Sequence, residues 1–412
     1  MAPIAAVVAA LLIAGGCAAV WHPAIAPVQR HARFTPAQVA RGAELAAIGD
    51  CAVCHTTPDG QPYAGGRAIP TPFGSIHSTN ITPDPATGIG RWSLAAFQRA
   101  MRDGIGRDGR HLYPVLPYPH FTRASDEDIG AMYAFLMTRA PIHAAAPPND
   151  LPFPIDQRVV LTAWNLLYLK LGPWHPDPGH DAVWNRGNYL VEAIGHCGAC
   201  HTPHNALGAE EVGRTLAGGD AEDWYAPPLR GASAARQKWT VAALAGYLRT
   251  GFDADHGAAG GPMTAVTDQL GKVPEADVRA MAIYLASLMP RTAEPRSAPA
   301  QAAGSADPGA RAMFEGACGG CHGADAPMTR DGAPSLALSS AVNAPTPRGA
   351  IQIILRGIPW RETRPAPYMP SFGAALTDAQ VAQLASYLRA TFSGKPAWSD
   401  VAAEVAKARG AS

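Results

Sequence analysis

The cysteines of this 412-residue chain are the residues whose spacing most directly implies chemistry. Six of the seven form three pairs with two residues between the partners, and a histidine follows each pair directly. Two thiols at that spacing can bond to the two vinyl groups of a haem while the histidine binds its iron, so C-x-x-C-H is the attachment signature of haem c. The three motifs are Cys51, Cys54 and His55; Cys197, Cys200 and His201; and Cys318, Cys321 and His322. The sequence therefore predicts three covalently bound haems c.

Other uses of paired cysteines explain the pattern less well. A disulfide or a thioredoxin-like site does not require the histidine that follows each pair. A structural zinc site needs four ligands for each ion, usually from two clusters. Three identical pentads at well-separated places exclude coincidence.

Two methionines are the predicted sixth ligands of the second and third haems. Met263 lies 62 residues after His201, and Met369 lies 47 residues after His322 in a Met-Pro setting. A thioether opposite histidine is a common ligand pair in cytochromes c and raises the reduction potential.

The first repeat lacks a methionine at the corresponding place. Leu116 stands 61 residues after His55, and leucine cannot bind iron. Four residues further on, His120 is the predicted ligand, which would give this haem two histidines. His111 and Met101 are the alternatives, and an iron without a sixth protein ligand is another.

Composition indicates how such sites are enclosed. The chain has 42 glycines and 39 prolines, yet 47% of its residues are hydrophobic, so it should be compact and rich in loops. The 33 basic residues balance the 33 acidic ones, which leaves no excess charge for nucleic acid. A large parallel sheet is not expected, because long Val/Ile-rich runs are missing.

Similar helices surround each motif. A helical pattern precedes every pentad, and a helix with a polar first turn closes every repeat, with Ser125 and Thr377 suited to cap two of them. Phe135, Tyr284 and Tyr387 share one place in the closing helices and predict packing against the first helix. The predicted fold is all-α: three tandem class I cytochrome c domains with loop-rich haem pockets, preceded by an N-terminal hydrophobic anchor. The predicted segments are an anchor or signal at 1–29, domains at 35–140, 181–290 and 306–392, linkers at 141–180 and 291–305, and a tail at 393–412.

Two apolar stretches lie outside these domains. Residues 4–20 are apolar throughout and follow no basic residue, which favours an uncleaved anchor over a cleaved signal or a lipid attached at Cys17. Residues 159–171 are too few to span a membrane. They predict either a helix packed in the core or between domains, or a helix that binds a partner or a membrane surface.

On these motifs the chain resembles the membrane-anchored triheme cytochrome c subunits of periplasmic dehydrogenases over residues 20–392. The specific marks are residues 78–84, 112–114 and 195–203. The alcohol dehydrogenase type carries methionine where this chain has Leu116, whereas residues 21–27 and 118–121 are more similar to cytochrome subunits paired with molybdenum hydroxylases. The resemblance implies a catalytic dehydrogenase subunit as partner and ubiquinone or another respiratory acceptor, at the periplasmic face of the bacterial cytoplasmic membrane.

Two functions of different class follow. The first is electron relay by a subunit with no catalytic residues of its own. The second is a haem enzyme, peroxidase-like or binding a small molecule, in which the first iron has an open position. A freestanding soluble carrier is a third interpretation, and the apolar run at residues 4–20 argues against it.

Overall fold

Helices joined by long loops dominate the structure, a computed structural model that describes residues 22–231, 238–289, 307–323, 326, 335–359 and 367–410. The apolar run at residues 4–20 of the predicted anchor and the whole linker at 291–305 lie outside these residues. Within the described ranges, no helix has both the length and the apolarity to cross a bilayer.

The chain divides into two compact units, and each unit is made of two segments that are not adjacent in the sequence. One contains Met1–Gly179 and Tyr189–His196, and the other contains His180–Asn188 and Cys197–Ser412. The first unit thus holds the first attachment motif, and the second unit holds the other two.

The first repeat begins and ends with capped helices, and the cap at Ser125 is the one that the sequence predicts. Thr35 accepts a hydrogen bond from the Gln38 N–H at 3.2 Å, and Ser125 accepts one from the Asp128 N–H at 3.1 Å. Such caps satisfy N–H groups that a helix leaves without an internal partner. The elements are α1 Pro36–Ile48, α2 Cys51–Cys54, β1 Ala68–Thr71, β2 Gly74–His77, α3 Leu94–Asp103, α4 Tyr118–Phe121, α5 Asp126–Met137 and α6 Val160–Tyr168.

The second repeat has the same order of opening helix, attachment turn and closing helix. Its opening helix, Ala182–Tyr189, continues as a π-helical segment, Leu190–Ile194. The elements are α7 Ala182–Tyr189, α8 Gly198–His201, β3 Gly219–Ala221, β4 Trp224–Ala226, α9 Val241–Thr250, β5 Phe252–Asp253, β6 Gly257–Ala258, α10 Pro262–Leu270 and α11 Glu275–Leu288.

The third repeat includes the predicted tail in its core. Val405 and Trp398 are buried, and the Trp398 indole N–H donates to the Ala344 carbonyl at 2.9 Å. Thr377 caps the closing helix, as predicted, through a bond from the Gln380 N–H. The elements are α12 Pro308–Ala317, α13 Gly319–His322, α14 Ser340–Asn343, α15 Arg348–Arg356, α16 Asp378–Leu388 and α17 Val401–Gly410.

The all-α prediction is too narrow, because the described residues contain three two-stranded antiparallel hairpins, β1–β2, β3–β4 and β5–β6. Each strand has only two to four residues. Such short strands leave no clear alternation of apolar and polar residues in the sequence. The hairpins are turns of the loops between the helices, so the architecture remains helical.

Glycines set how closely the opening and closing helices cross in the first two repeats. A Cβ on Gly42 of α1 would lie 1.9 Å from the Ala131 carbonyl oxygen of α5, and a Cβ on Gly187 of α7 would lie 2.0 Å from that of Ala280 in α11. Only glycine allows backbones to approach so closely. Phe135 and Tyr284 border these crossings, as the sequence predicts for aromatic residues at this place.

The π-helical segment corresponds to a one-residue difference in spacing between the first two repeats. Arg41 lies ten residues before Cys51, whereas Arg186 lies eleven residues before Cys197. A π turn adds one residue to a helix without changing its ends. The opening helix of the second repeat therefore accommodates an extra residue while keeping both the crossing and the attachment motif.

Candidate functional site

One turn of helix carries each attachment motif. The backbone N–H of the histidine donates to the carbonyl of the first cysteine in all three: His55 to Cys51 at 3.0 Å, His201 to Cys197 at 3.0 Å and His322 to Cys318 at 2.8 Å. Residues at i, i+3 and i+4 lie on one face of a helix. The turn therefore brings two sulfurs and one imidazole to the same side, as attachment to one planar macrocycle requires.

Hydrogen bonds orient the imidazoles in the first two motifs. His55 Nδ1 lies 2.6 Å from the Thr79 carbonyl oxygen, and His201 Nδ1 lies 2.6 Å from that of Pro227. A carbonyl only accepts, so Nδ1 carries the proton and Nε2 keeps the lone pair that a metal needs. Burial also lowers the pKa of His55, His201 and His322, which favours the neutral imidazole.

The Thr79 carbonyl belongs to a loop whose shape is fixed by its neighbours. The buried Asn80 side chain donates to the Ile142 carbonyl at 2.7 Å and accepts from the Thr82 N–H at 2.9 Å. Asp84 accepts from the Thr87 N–H at 2.6 Å. The sequence analysis identifies residues 78–84 only as a mark of the family resemblance. The structure shows that they include the carbonyl of Thr79, which accepts the hydrogen bond from His55.

The cysteine environments favour uncharged sulfur. Burial raises the pKa of the Cys51 thiol to about 12, and it also raises the pKa of Cys318. A thioether is uncharged, so these sites suit sulfur bonded to a haem vinyl carbon. The sulfur positions and the histidine orientation together fit covalent haem c.

Backbone constraints hold both methionines that the sequence predicts as ligands. Met263 is the second residue of α10, so a helix rather than a loop carries it. The preceding Gly261 has a φ of 54°, and its Cβ position lies 2.3 Å from the Trp224 indole. Met369 forms paired backbone bonds with Ile358 at 2.9 and 3.0 Å. Both methionine side chains are half-buried.

The two candidate histidine ligands of the first repeat, His111 and His120, form different hydrogen bonds through their ring nitrogens. His111 has both ring nitrogens engaged, Nε2 with the Thr162 hydroxyl at 3.0 Å and Nδ1 with the Asn165 amide at 3.4 Å. The buried His120 Nδ1 lies 2.8 Å from the Glu192 carbonyl oxygen. That contact gives His120 the same tautomer as His55 and His201.

The other two positions named for this haem show no comparable anchoring. Met101 is buried within α3, and Leu116 is half-buried in a turn before α4. Neither side chain has a nitrogen that can form such a hydrogen bond.

The fold and these sites define a multihaem c-type cytochrome. The sequence matches the family described as cytochrome c over three segments, residues 39–140, 185–289 and 306–392. Each segment contains one attachment motif, so the chain binds three haems c covalently.

Several proteins similar to this chain are named as subunits of dehydrogenases. It is 46% identical over 399 residues to a nicotinate dehydrogenase subunit of Pseudomonas putida, a match that covers 94% of this chain and 33% of that protein. It is 37% identical to the fructose dehydrogenase cytochrome subunit of Gluconobacter japonicus, covering 86% and 79% of the two chains. It is 36% identical to the gluconate 2-dehydrogenase cytochrome c subunit of Pantoea cypripedii, covering 90% of each.

The chain belongs to the cytochrome c family, and it is a homologue of dehydrogenase cytochrome subunits. It spans about a third of the length of the nicotinate dehydrogenase subunit but most of the length of the other two relatives. The expected resemblance to cytochrome subunits of dehydrogenases is confirmed.

Proposed function

We propose that this chain relays electrons from a catalytic dehydrogenase subunit to ubiquinone or another respiratory acceptor at the periplasmic face of the bacterial cytoplasmic membrane. The observation that carries the proposal is the repeated attachment turn, with two sulfurs and an oriented imidazole on one face. Haem c supplies a one-electron couple at each of these places. Three such places in one chain provide a relay, and relay is the role expected of a cytochrome subunit.

The residues divide into roles by the chemistry of their side chains. The cysteine sulfurs at 51, 54, 197, 200, 318 and 321 hold the haems, and His55, His201 and His322 bind iron from one side. Met263 and Met369 bind on the other side in the second and third repeats. His120 takes that role in the first repeat, since its tautomer matches that of His55 and His201.

This ligand set gives an order of potentials. A methionine ligand raises the potential of a haem relative to a second histidine. The first repeat, with histidine in both places, should therefore hold the lowest-potential haem and be the entry point for electrons. The Met263 and Met369 sites would follow it.

The favoured partner is a dehydrogenase of the molybdenum hydroxylase type, acting on an aldehyde or an N-heterocycle. Two observations support this choice. Leu116 replaces the methionine of the alcohol dehydrogenase type, and the 46% identical relative is named for nicotinate, an N-heterocyclic acid. Quinoprotein and flavin dehydrogenases are the other partner types for such subunits.

The experiment that tests the relay begins with isolation of the tagged full chain together with its partner from its own cells. Substrates offered to the complex would be nicotinate, an aldehyde, ethanol and fructose, with absorption of reduced haem c as the readout. We expect the complex to reduce haem with one substrate class and to pass electrons to added ubiquinone. The chain purified alone should show no haem reduction with any of them.

A matched variant separates relay from haem content. Cys318→Ser with Cys321→Ser should leave two haems, and substrate should still reduce them in the complex. Substrate-driven reduction by the isolated chain would contradict the relay and favour an enzyme. Haem reduction only with ethanol or fructose would contradict the molybdenum-type partner.

A further inference from the structure

Helix α6 exposes apolar side chains and turns polar ones inward, which is the reverse of an ordinary surface helix. Its polar residues bond inward: Asn165 accepts from the Tyr118 hydroxyl at 2.7 Å, and Thr162 contacts the buried His111. Two of its three leucines face outward, with Leu166 77% exposed and Leu167 68% exposed, while Leu161 is buried. A surface helix in water normally buries its leucines and exposes its polar residues. The outward face of α6 is therefore built for an apolar surrounding.

The exposed apolar residues are concentrated around this helix. Of the ten large hydrophobic side chains that are exposed among the described residues, five lie between positions 153 and 171. Val159 precedes the helix by one residue and shares the side of Leu166, since the two are seven residues apart. Phe153 and Leu171 flank the helix and are also exposed. We call residues 153–171 the apolar segment. Such a concentration marks an interaction site.

Charge and side-chain type indicate what covers the apolar segment. The apolar segment contains two basic residues, Arg158 and Lys170, and one acidic residue, Asp156, so its net charge is positive. Aromatic Trp164 and Tyr168 lie on the same helix, with ring centroids 5.3 Å apart. Basic residues with aromatic and leucine side chains are typical of helices that lie in a bilayer interface. Three of the five exposed apolar side chains of the segment are leucines, whereas the central contacts of protein interfaces favour Trp, Tyr and Arg over Leu.

We propose that the apolar segment inserts into the surface of an anionic phospholipid bilayer, with α6 lying in the plane of the interface. A nine-residue helix cannot cross the hydrocarbon core, so the contact is with one leaflet. Leu166 and Leu167 enter the acyl region, and Lys170 contacts lipid phosphate. The biological meaning rests on the proposed transfer to a membrane acceptor, but lipid contact can be measured without electron transfer.

The test uses a local measurement, because the apolar run at residues 4–20 could bind lipid independently. Hydrogen exchange of the full haem-loaded chain would be followed with and without vesicles of phosphatidylethanolamine and phosphatidylglycerol. We expect slower exchange of residues 159–171 on these vesicles and a smaller effect on phosphatidylcholine. Leu166→Ser with Leu167→Ser should weaken this protection on the order of tenfold.

The matched control is Leu207→Ser with Val212→Ser, which removes two exposed apolar residues elsewhere. It should leave the protection of residues 159–171 unchanged, and haem spectra should be those of wild type in both variants. Unchanged exchange on anionic vesicles would overturn the proposal. So would protection that appears only when the catalytic subunit is added, since that would assign the apolar segment to a protein interface. Equal protection on phosphatidylcholine would contradict the requirement for anionic lipid.

Discussion

The first and second repeats are alike on the histidine side of the haem site. His55 and His201 each direct Nδ1 to a carbonyl oxygen 2.6 Å away, 24 and 26 residues further along the chain. Gly42 and Gly187 allow equally close helix crossings in front of these motifs. The attachment chemistry requires one geometry, and both repeats provide it from unlike loops.

The predicted sixth ligands are where the two repeats differ. Met263 follows Gly261 at the start of α10, whereas the first repeat has Leu116 in a turn and His120 buried in the short helix α4. The sixth position comes from a segment far along the chain, and nothing in the attachment motif constrains it. One repeat can therefore change its ligand, and with it its potential, while the attachment turn stays the same.

The largest effect is expected where the repeats are most alike, at the helix crossing. Gly42→Ala places a methyl group 1.9 Å from the Ala131 carbonyl oxygen, so α1 and α5 must separate. We expect a loss of about 3 kcal/mol in the free energy of unfolding. Gly187→Ala should cost a similar amount in the second repeat. Denaturant unfolding followed by circular dichroism measures both.

Gly130→Ala is the control for that comparison, because a Cβ there meets no atom within 4 Å. It lies in α5, so alanine should stabilise the helix by about 0.5–1 kcal/mol. A Gly42→Ala protein as stable as Gly130→Ala would show that the close crossing is unnecessary.

The next effect concerns the side on which the repeats differ. His120→Ala should convert one haem of three to a high-spin form that binds cyanide, and it should leave the Glu192 carbonyl without this donor at a cost of about 1–3 kcal/mol. His120→Met should restore a low-spin haem at a higher potential. Visible spectra and redox titration measure these changes. If His120→Ala stays fully low-spin with unchanged potentials, His120 is not the ligand and Met101 or His111 is the next candidate.

A smaller difference is expected at the arginine that precedes each of these glycines. Arg186 bonds to both carboxylate oxygens of Asp277, at 2.9 and 2.8 Å, whereas Arg41 Nε lies 3.4 Å from Asp128 Oδ1 and its Nη1 lies 3.0 Å from Glu44. Two-point bonding is the stronger geometry. Arg186→Ala should lower the free energy of unfolding by about 1–2 kcal/mol and Arg41→Ala by less than about 1 kcal/mol. Urea unfolding that gives equal losses would contradict this ranking.

The smallest effect is a pH dependence in the loop that supports His55. The Thr87 N–H, followed by the Thr87 hydroxyl, the Ala86 N–H and His143, holds the pKa of Asp84 below its ordinary value. Stability from this carboxylate is present above the ordinary aspartate pKa of about 4 and is lost as pH falls toward the lower pKa of the folded state. Asp84→Asn should flatten this acid dependence. Unfolding midpoints that fall in parallel for both proteins on acidification would show that Asp84 does not contribute.

Helices are predictable from the sequence where local chemistry decides. Ser125 and Thr377 begin helices as predicted, because their side chains cap N–H groups within the same turn. The three hairpins were not predicted, because strands of two to four residues carry no periodic signal. The pattern of residues 159–171 is compatible with both packing and partner binding, and only solvent exposure shows Leu161 buried while Leu166 and Leu167 are exposed.

The sequence alone determined the number of haems. It also determined that each histidine lies on the same side as its two cysteines, because two cysteines and a histidine at this fixed spacing occupy one helical turn. It also predicted the helices that enclose each motif. Only the tertiary structure revealed that the Thr79 and Pro227 carbonyls orient the imidazoles of His55 and His201, that both nitrogens of His111 are engaged, and that α6 exposes Leu166 and Leu167. These features join residues 24 to 54 positions apart or depend on which face of a helix is covered. Spacing along a chain fixes contacts within a turn, whereas contacts between turns depend on how the helices pack.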